Sequence, residues 1–216
     1  MSTAKQKATP RTYGGLSADE RVAARRLRLL DAALELYGTH GYAGTGVKDV
    51  CRAAGLTDRY FYESFRNSEE LFTAAFDRAT EQLLQLVAEA VAGAEPTPEA
   101  QTRAAIGAFV NALAGDPRTA RLIFVERAAA GPEAERHMRG TLRRFAALVV
   151  ETYRPHLRDD PPERELQMAG LALVGAIERV MIEWQEGELD ASLDQVVDYL
   201  VEFFLAAGAS FGMSQS

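Results

Sequence analysis

Between Thr57 and Ser64 the chain reads Thr-Asp-Arg-Tyr-Phe-Tyr-Glu-Ser, followed by Phe65, and this run has the groups to meet a polyanion. At 100° per residue, a short helix that buries Phe61 and Phe65 turns Arg59 and Glu63 nearly to the opposite side and leaves Tyr60 and Tyr62 on the flanks. An arginine donates two hydrogen bonds to guanine O6 and N7, and hydroxyl groups suit phosphate oxygens. Thr57 and Ser64 bracket the run with two further hydroxyls. Upstream, Thr45 and Lys48 stand at the expected start of the preceding helix, where a hydroxyl, exposed backbone amides and an ammonium together hold a phosphate. Other chemistry is thinly represented. His40, His137 and His156 are far apart, the single Cys51 supplies neither an intrachain disulfide nor a multi-thiolate metal site, and no glycine-rich phosphate loop, nucleophile elbow or paired-carboxylate motif occurs. No catalytic residue, metal ligand or cofactor is expected, and Cys51 is expected to be a small buried apolar residue.

The elements that must position these groups are all helices. Apolar residues recur at helical spacing throughout, with glycine and proline marking the breaks, so the class is all-α with about nine helices. Ser17 and Glu20 form a capping box for a first helix that carries Ala23, Leu27, Leu30, Leu34 and Tyr37 on one face and is ended by Gly38 and Gly41. A second short helix turns Val47, Val50 and Ala54 inward and ends at Gly55; Thr57 caps the third. Asn67, with Glu70 three residues on, opens a long fourth helix that runs to about Gly93. Thr97-Pro98, Asp116-Pro117 and Gly131-Pro132 open the next three, Pro161-Pro162 an apolar helix through Trp184, and Ser192 the last. Helix, glycine-containing turn and helix over 47–64 match the geometry that sets a second helix into the major groove.

Charge follows the same division. The first 66 residues hold 11 Lys+Arg against 7 Asp+Glu, net +4, and the remaining 150 hold 13 against 24, net −11. A polyanion is drawn to one part and repelled by the other. The longest apolar or glycine run, Ala169 to Ile177, is far short of the roughly 18 residues a membrane-spanning helix needs, and the start of the chain has lysines and an arginine but no apolar core. A cytoplasmic protein without a membrane partner is expected.

The residues that carry these motifs resemble the DNA-binding domain of TetR-family transcriptional regulators: RLLDAALELY over 28–37, Gly41-Tyr42, TGVKDV over 45–50, AGLT over 54–57, Phe61-Tyr62 with Phe65, and EEL over 69–71. The resemblance implies a homodimeric repressor whose first three helices bind a near-palindromic double-stranded DNA operator and whose C-terminal part binds a small-molecule effector, with the fourth helix carrying the signal between them. It divides the chain into a flexible basic arm over 1–16, a helix-turn-helix domain over 17–66 and an effector-binding and dimerisation domain over 67–216. Where the family commonly has a lysine at the start of the fourth helix, this chain has Ser68, so that phosphate contact becomes one to a neutral hydroxyl. Asp58 and Glu63 bring carboxylates close to the reading helix, and Lys5, Lys7 and Arg11 in the arm either reach an adjacent minor groove or remain solvated.

The last two helices are apolar on most sides, through Leu171, Leu173, Val174 and Ile177 in one and Leu200, Val201, Phe203 and Phe204 in the other. Two copies packed as a four-helix bundle bury both faces and supply the two-fold symmetry a palindrome requires. For the effector pocket the apolar candidates are Phe76, Leu83, Phe109, Phe124, Met138, Phe145 and Trp184, with Asn111, Glu126 and Glu178 as polar anchors. Glu178 and Arg179 are also placed to form an ion pair between subunits. Two alternatives stand beside this reading: a helix-turn-helix protein with no effector, and an all-α enzyme.

Overall fold

The computed structural model describes residues 17–126, 131–157 and 161–210. The basic arm expected over 1–16 lies outside the described residues. The protein is all-α: α1 (Ala18–His40), α2 (Val47–Ala54), α3 (Asp58–Ser64), α4 (Ser68–Gly93), α5 (Pro98–Gly115), α6 (Pro117–Phe124), α7 (Pro132–Tyr153), α8 (Glu163–Gln185) and α9 (Leu193–Ser210), with a 3-10 turn over 154–156 after α7. No strand occurs among the described residues.

Local signals place most of the ends. The Ser17 hydroxyl accepts the Glu20 amide while Glu20 reaches back to the Ser17 amide at 2.6 Å, completing a capping box. Prolines occupy first-turn positions of α5, α6 and α7, where a missing amide hydrogen costs nothing. Ser192 and Gln195 exchange the same pair of bonds at the start of α9. Three expectations change. Gly38 does not end α1: it sits inside the helix because α6 crosses there, and a Cβ would lie 2.5 Å from that of Arg118. The chain leaves α1 at Gly41, whose φ of 81° favours glycine. In the cap of α4, Asn67 Oδ1 accepts the Glu70 amide, but Glu70 answers on the Arg66 amide and not on that of Asn67. Helix α6, which the spacing of Asp116-Pro117 and Gly131 predicts to run to Gly131, closes at Phe124.

Two apolar cores meet along α4. The first gathers Leu29, Ala33 and Tyr37 of α1, Val50 and Cys51 of α2 and both Phe61 and Phe65. Leu71, Phe72, Ala75, Phe76 and Ala79 of α4 complete it, with Leu122 of α6 and Met138 of α7. Of the expected α1 stripe, Leu30 and Tyr37 are buried and Leu34 is half-buried, whereas Ala23 and Leu27 in the N-terminal half are exposed; Leu29 and Ala33 are buried beside them. The second core begins one turn further along α4, at Leu83, and joins α5, α6, α8 and α9. The change from residue 66 to 67 is therefore a change of helix inside one continuous core.

Candidate functional site

Helix α3 is held from below and from one side. Phe61 and Phe65 are fully buried, so the opposite side of its two turns faces out. Arg28 of α1 donates to the carbonyls of Ala54 and Gly55, capping α2 with a cation, and Gly55 turns the chain at φ 60°. Arg26 donates to the Ser64 carbonyl at 2.6 Å and lies 4.1 Å over the Phe65 ring. The outward side carries Arg59, whose Nε sits 3.0 Å from Glu63, and Tyr62, 63% exposed. Tyr60 is half-buried under the Arg25 guanidinium, 4.5 Å from its ring centroid. Arg25 also approaches Glu63 at 3.8 Å. The carboxylate on the outward face is thus neutralised by two arginines within the protein.

The remaining polar candidates divide. Lys48 and Thr57 are exposed, and Ser64 and Ser68 are half-buried at the α3–α4 junction. Thr57 occupies the N-cap of α3 without a capping bond from its hydroxyl. Thr45 differs from expectation. It is buried, lies outside α2, and its hydroxyl donates to the Gly41 carbonyl at 2.8 Å, so it ties the turn together and has no hydroxyl hydrogen left for a phosphate. Asp49, which accepts the Gly46 amide at 3.1 Å, also occupies the N-terminus of α2 with a charge of the wrong sign for a phosphate. The described helical part, 17–66, holds 8 Lys+Arg against 7 Asp+Glu, net +1. Most of the +4 of the first 66 residues therefore belongs to the arm.

A second site lies among the larger helices. An apolar cavity of about 90 Å³ is walled by α4 to α9, with Leu83, Phe109, Phe124 and Phe145 in its lining. Phe109 and Phe145 meet edge to face, their centroids 5.9 Å apart. Among the described residues no charged side chain lines it. Its buried polar pair is Thr102 and Tyr153, whose hydroxyls lie 2.6 Å apart; burial pushes the Tyr153 hydroxyl up to about 12 against the Thr102 bond.

Six expected pocket residues lie elsewhere. Phe76 and Met138 pack in the first core, because α4 and α7 approach α1 before they reach the cavity. Asn111 is exposed and donates to Gly107 in its own helix. Trp184 donates its indole N–H to the Ala191 carbonyl at 2.9 Å, bracing the α8–α9 connection. Glu178 is half-buried on α8 away from the cavity, and Arg179 pairs with Glu183 in the same helix. Glu126 is buried and accepts the Tyr42 amide, so it joins two regions and anchors no pocket. Sequence reasoning missed Thr102 and Tyr153; an inward tyrosine late in an apolar helix was the available signal. It also missed Arg25, Arg26 and Arg28, whose partners on and around α3 lie 26 or more residues away.

Residues 29–75 match the family described as bacterial regulatory proteins, tetR family. The chain is 30% identical over 125 residues to the transcriptional activator FasR of Mycolicibacterium smegmatis, a match that spans 57% of each chain. Among solved structures, FadR from Bacillus subtilis in complex with stearoyl-CoA superposes with a TM-score of 0.74 at 18% identity, over 84% of this chain and 98% of that one. AibR, in complex with isovaleryl coenzyme A and operator DNA, gives 0.62 at 17% identity over 83% and 97%. At these identities the structural likeness is one of fold, shared along nearly the whole of each neighbour, while the sequence match falls on the helices around α3. Residues 29–75 thus match the tetR family of bacterial regulatory proteins, and the larger helices share the fold of these neighbours.

Proposed function

We propose that this protein is a repressor that reads a two-fold related DNA operator as a homodimer and releases it when a small acyl-bearing effector fills the cavity. In this reading residues 17–66 contact DNA, with Arg59 on base edges and Lys48, Thr57, Tyr60, Tyr62, Ser64 and Ser68 on or near the backbone. Residues 67–216 hold the effector and the partner subunit. The cavity's apolar, uncharged lining suits a hydrocarbon chain, and two neighbours of the same fold are bound to acyl thioesters of coenzyme A. For the dimer, Met168, Leu171, Tyr199 and Phe203 expose large apolar surfaces on α8 and α9. A two-fold copy packed on these helices would cover them.

One observation carries the coupling: α6 lines the cavity and also packs on the end of α1 and the turn into α2. Ile123 and Phe124 wall the cavity. On the same two turns, the backbone at Arg118 presses on Gly38, Arg118 pairs with Glu35, and Arg121 holds Glu126 against the Tyr42 amide. A chain that widens the cavity pushes α6 and α4 together, and both lead into the first core. Shifting the two reading heads from the roughly 34 Å spacing of successive major grooves weakens operator binding, with a coupling of about 1–3 kcal/mol.

The test is operator affinity with and without a saturating acyl thioester, alongside sedimentation of the free protein. Undiminished affinity with the thioester bound overturns the coupling, and a monomer overturns the dimer. A reporter behind the operator should rise when the thioester is supplied; a fall would make the protein an activator, as FasR is named.

A further inference from the structure

The acidic effector region has one basic stretch. Over 136–144, α7 carries Arg136, His137, Arg139, Arg143 and Arg144 and no carboxylate, although 67–216 as a whole holds 13 Lys+Arg against 24 Asp+Glu. Arg136, His137 and Arg144 line an open cleft whose facing walls are Arg26 of α1 and Asp77, Arg78 and Glu81 of α4. Gly140 and Ala74 keep it wide, and a Cβ on Gly140 would meet nothing within 4 Å. Four arginines thus face two carboxylates. Arg78 pairs with Asp31 at 2.7 Å, Arg144 with Glu81 at 2.8 Å, and His137 with Asp77 at 2.5 Å. Pairs this exposed are weak, and a phosphate, which accepts two parallel guanidinium bonds, competes with them.

Cleft and cavity share two walls. On α7, Leu142 and Phe145 line the cavity while Thr141 and Arg144 line the cleft; on α4, Leu83 and Val87 line the one and Glu81 the other. A hydrocarbon chain that left the cavity between these helices would deliver whatever it is attached to onto the arginines.

We infer that this cleft seats the phosphate-bearing headgroup of an acyl thioester, held by Arg78, Arg136 and Arg144. For its tail the inference rests on the effector reading above. A second consequence follows from Arg26, which lines the cleft and at the same time anchors the end of α3 through the Ser64 carbonyl and the Phe65 ring. A phosphate that draws Arg26 away loosens that anchor and sets negative charge beside the DNA-reading helix. The headgroup therefore acts on operator binding in the same direction as the tail.

Calorimetric titration of the full chain separates the two. The probes are coenzyme A without an acyl group, inorganic phosphate, and an octanoyl thioester of N-acetylcysteamine, which has the tail and no phosphate. Coenzyme A should bind, inorganic phosphate about tenfold more weakly or worse, and the double variant Arg136→Gln/Arg144→Gln should lose about tenfold for coenzyme A while its affinity for the octanoyl thioester stays unchanged. In the wild type, coenzyme A should slow amide hydrogen exchange over 74–81 and 136–144, a readout that needs no variant. Absent binding of coenzyme A at millimolar concentration, equal affinity for wild type and variant, phosphate as tight as coenzyme A, or unaltered exchange over those segments each overturns the headgroup site. So does a variant that keeps coenzyme A and loses operator DNA instead. If coenzyme A binds as described and the octanoyl thioester does not, the cavity reading fails and the cleft stands.

Discussion

Glu126 accepts the backbone amide hydrogen of Tyr42 at 2.7 Å, joining the residue just beyond α6 to the turn that leads into α2. Its other oxygen takes Arg121 Nε at 2.9 Å, and the residue is only 7% exposed. Gly41 leaves room for the carboxylate, since a Cβ there would stand 3.2 Å from both oxygens. Glu126→Ala strands the Tyr42 amide and should cost about 1–3 kcal/mol in chemical denaturation. Effector affinity should be retained, while the effector's influence on operator affinity shrinks. Full retention of that influence would show that α4 alone carries the signal.

Gly38→Ala sets two effects of opposite sign against each other. Helix propensity favours alanine by about 1 kcal/mol. The added methyl would lie 2.5 Å from Arg118 Cβ and 2.7 Å from its Cα, which α6 relieves only by moving away. Overpacking of this kind costs about 1–3 kcal/mol, so the variant should unfold at lower temperature and show altered operator affinity. A raised melting temperature would mean that α1 and α6 do not touch as described.

Arg59 and Lys48 should fail differently. In the proposed reading Arg59 would exchange its partner Glu63 for a base edge, so Arg59→Ala should relax discrimination at one base pair by about 1–3 kcal/mol. Lys48→Ala should weaken cognate and scrambled DNA alike and lower the salt slope by about one. Equal losses on both DNAs for Arg59→Ala would remove its reading role.

Acid should loosen the junction between α3 and α4. Glu70 accepts the Arg66 amide at 2.7 Å and Arg66 Nε at 3.0 Å, and these bonds, the backbone one foremost, hold its carboxyl below the ordinary 4.5. A carboxyl depressed in the folded state stabilises above its unfolded pKa and loses that contribution as pH falls through the folded value. Because the group is largely solvated, the deficit of Glu70→Gln against wild type should stay under about 1 kcal/mol at pH 7. It should close as pH drops below about 4, followed by urea midpoints across the acid range. A gap independent of pH would assign the effect to packing.

What the sequence determined by itself is whatever acts over a few residues. Ser17 with Glu20, the prolines at the starts of α5 to α7, Gly55 after α2, and Phe61 with Phe65 one helical turn apart all behave as their neighbours dictate. Caps, turns and helical period are local, and they were enough for the all-α class and the outward side of α3. Tertiary structure decided which neighbour each apolar face meets. The period of α4 marks Phe76, Ala79 and Leu83 as one stripe, yet the first two fill the core beneath α3 and the third lines the cavity, because the helix crosses from one set of partners to the other between them. Glu126 and Arg26 became links between regions for the same reason: their partners lie 84 and 38 residues away. Helical spacing fixes which way a side chain points from its axis, and the packing of helices distant in sequence fixes what it finds there.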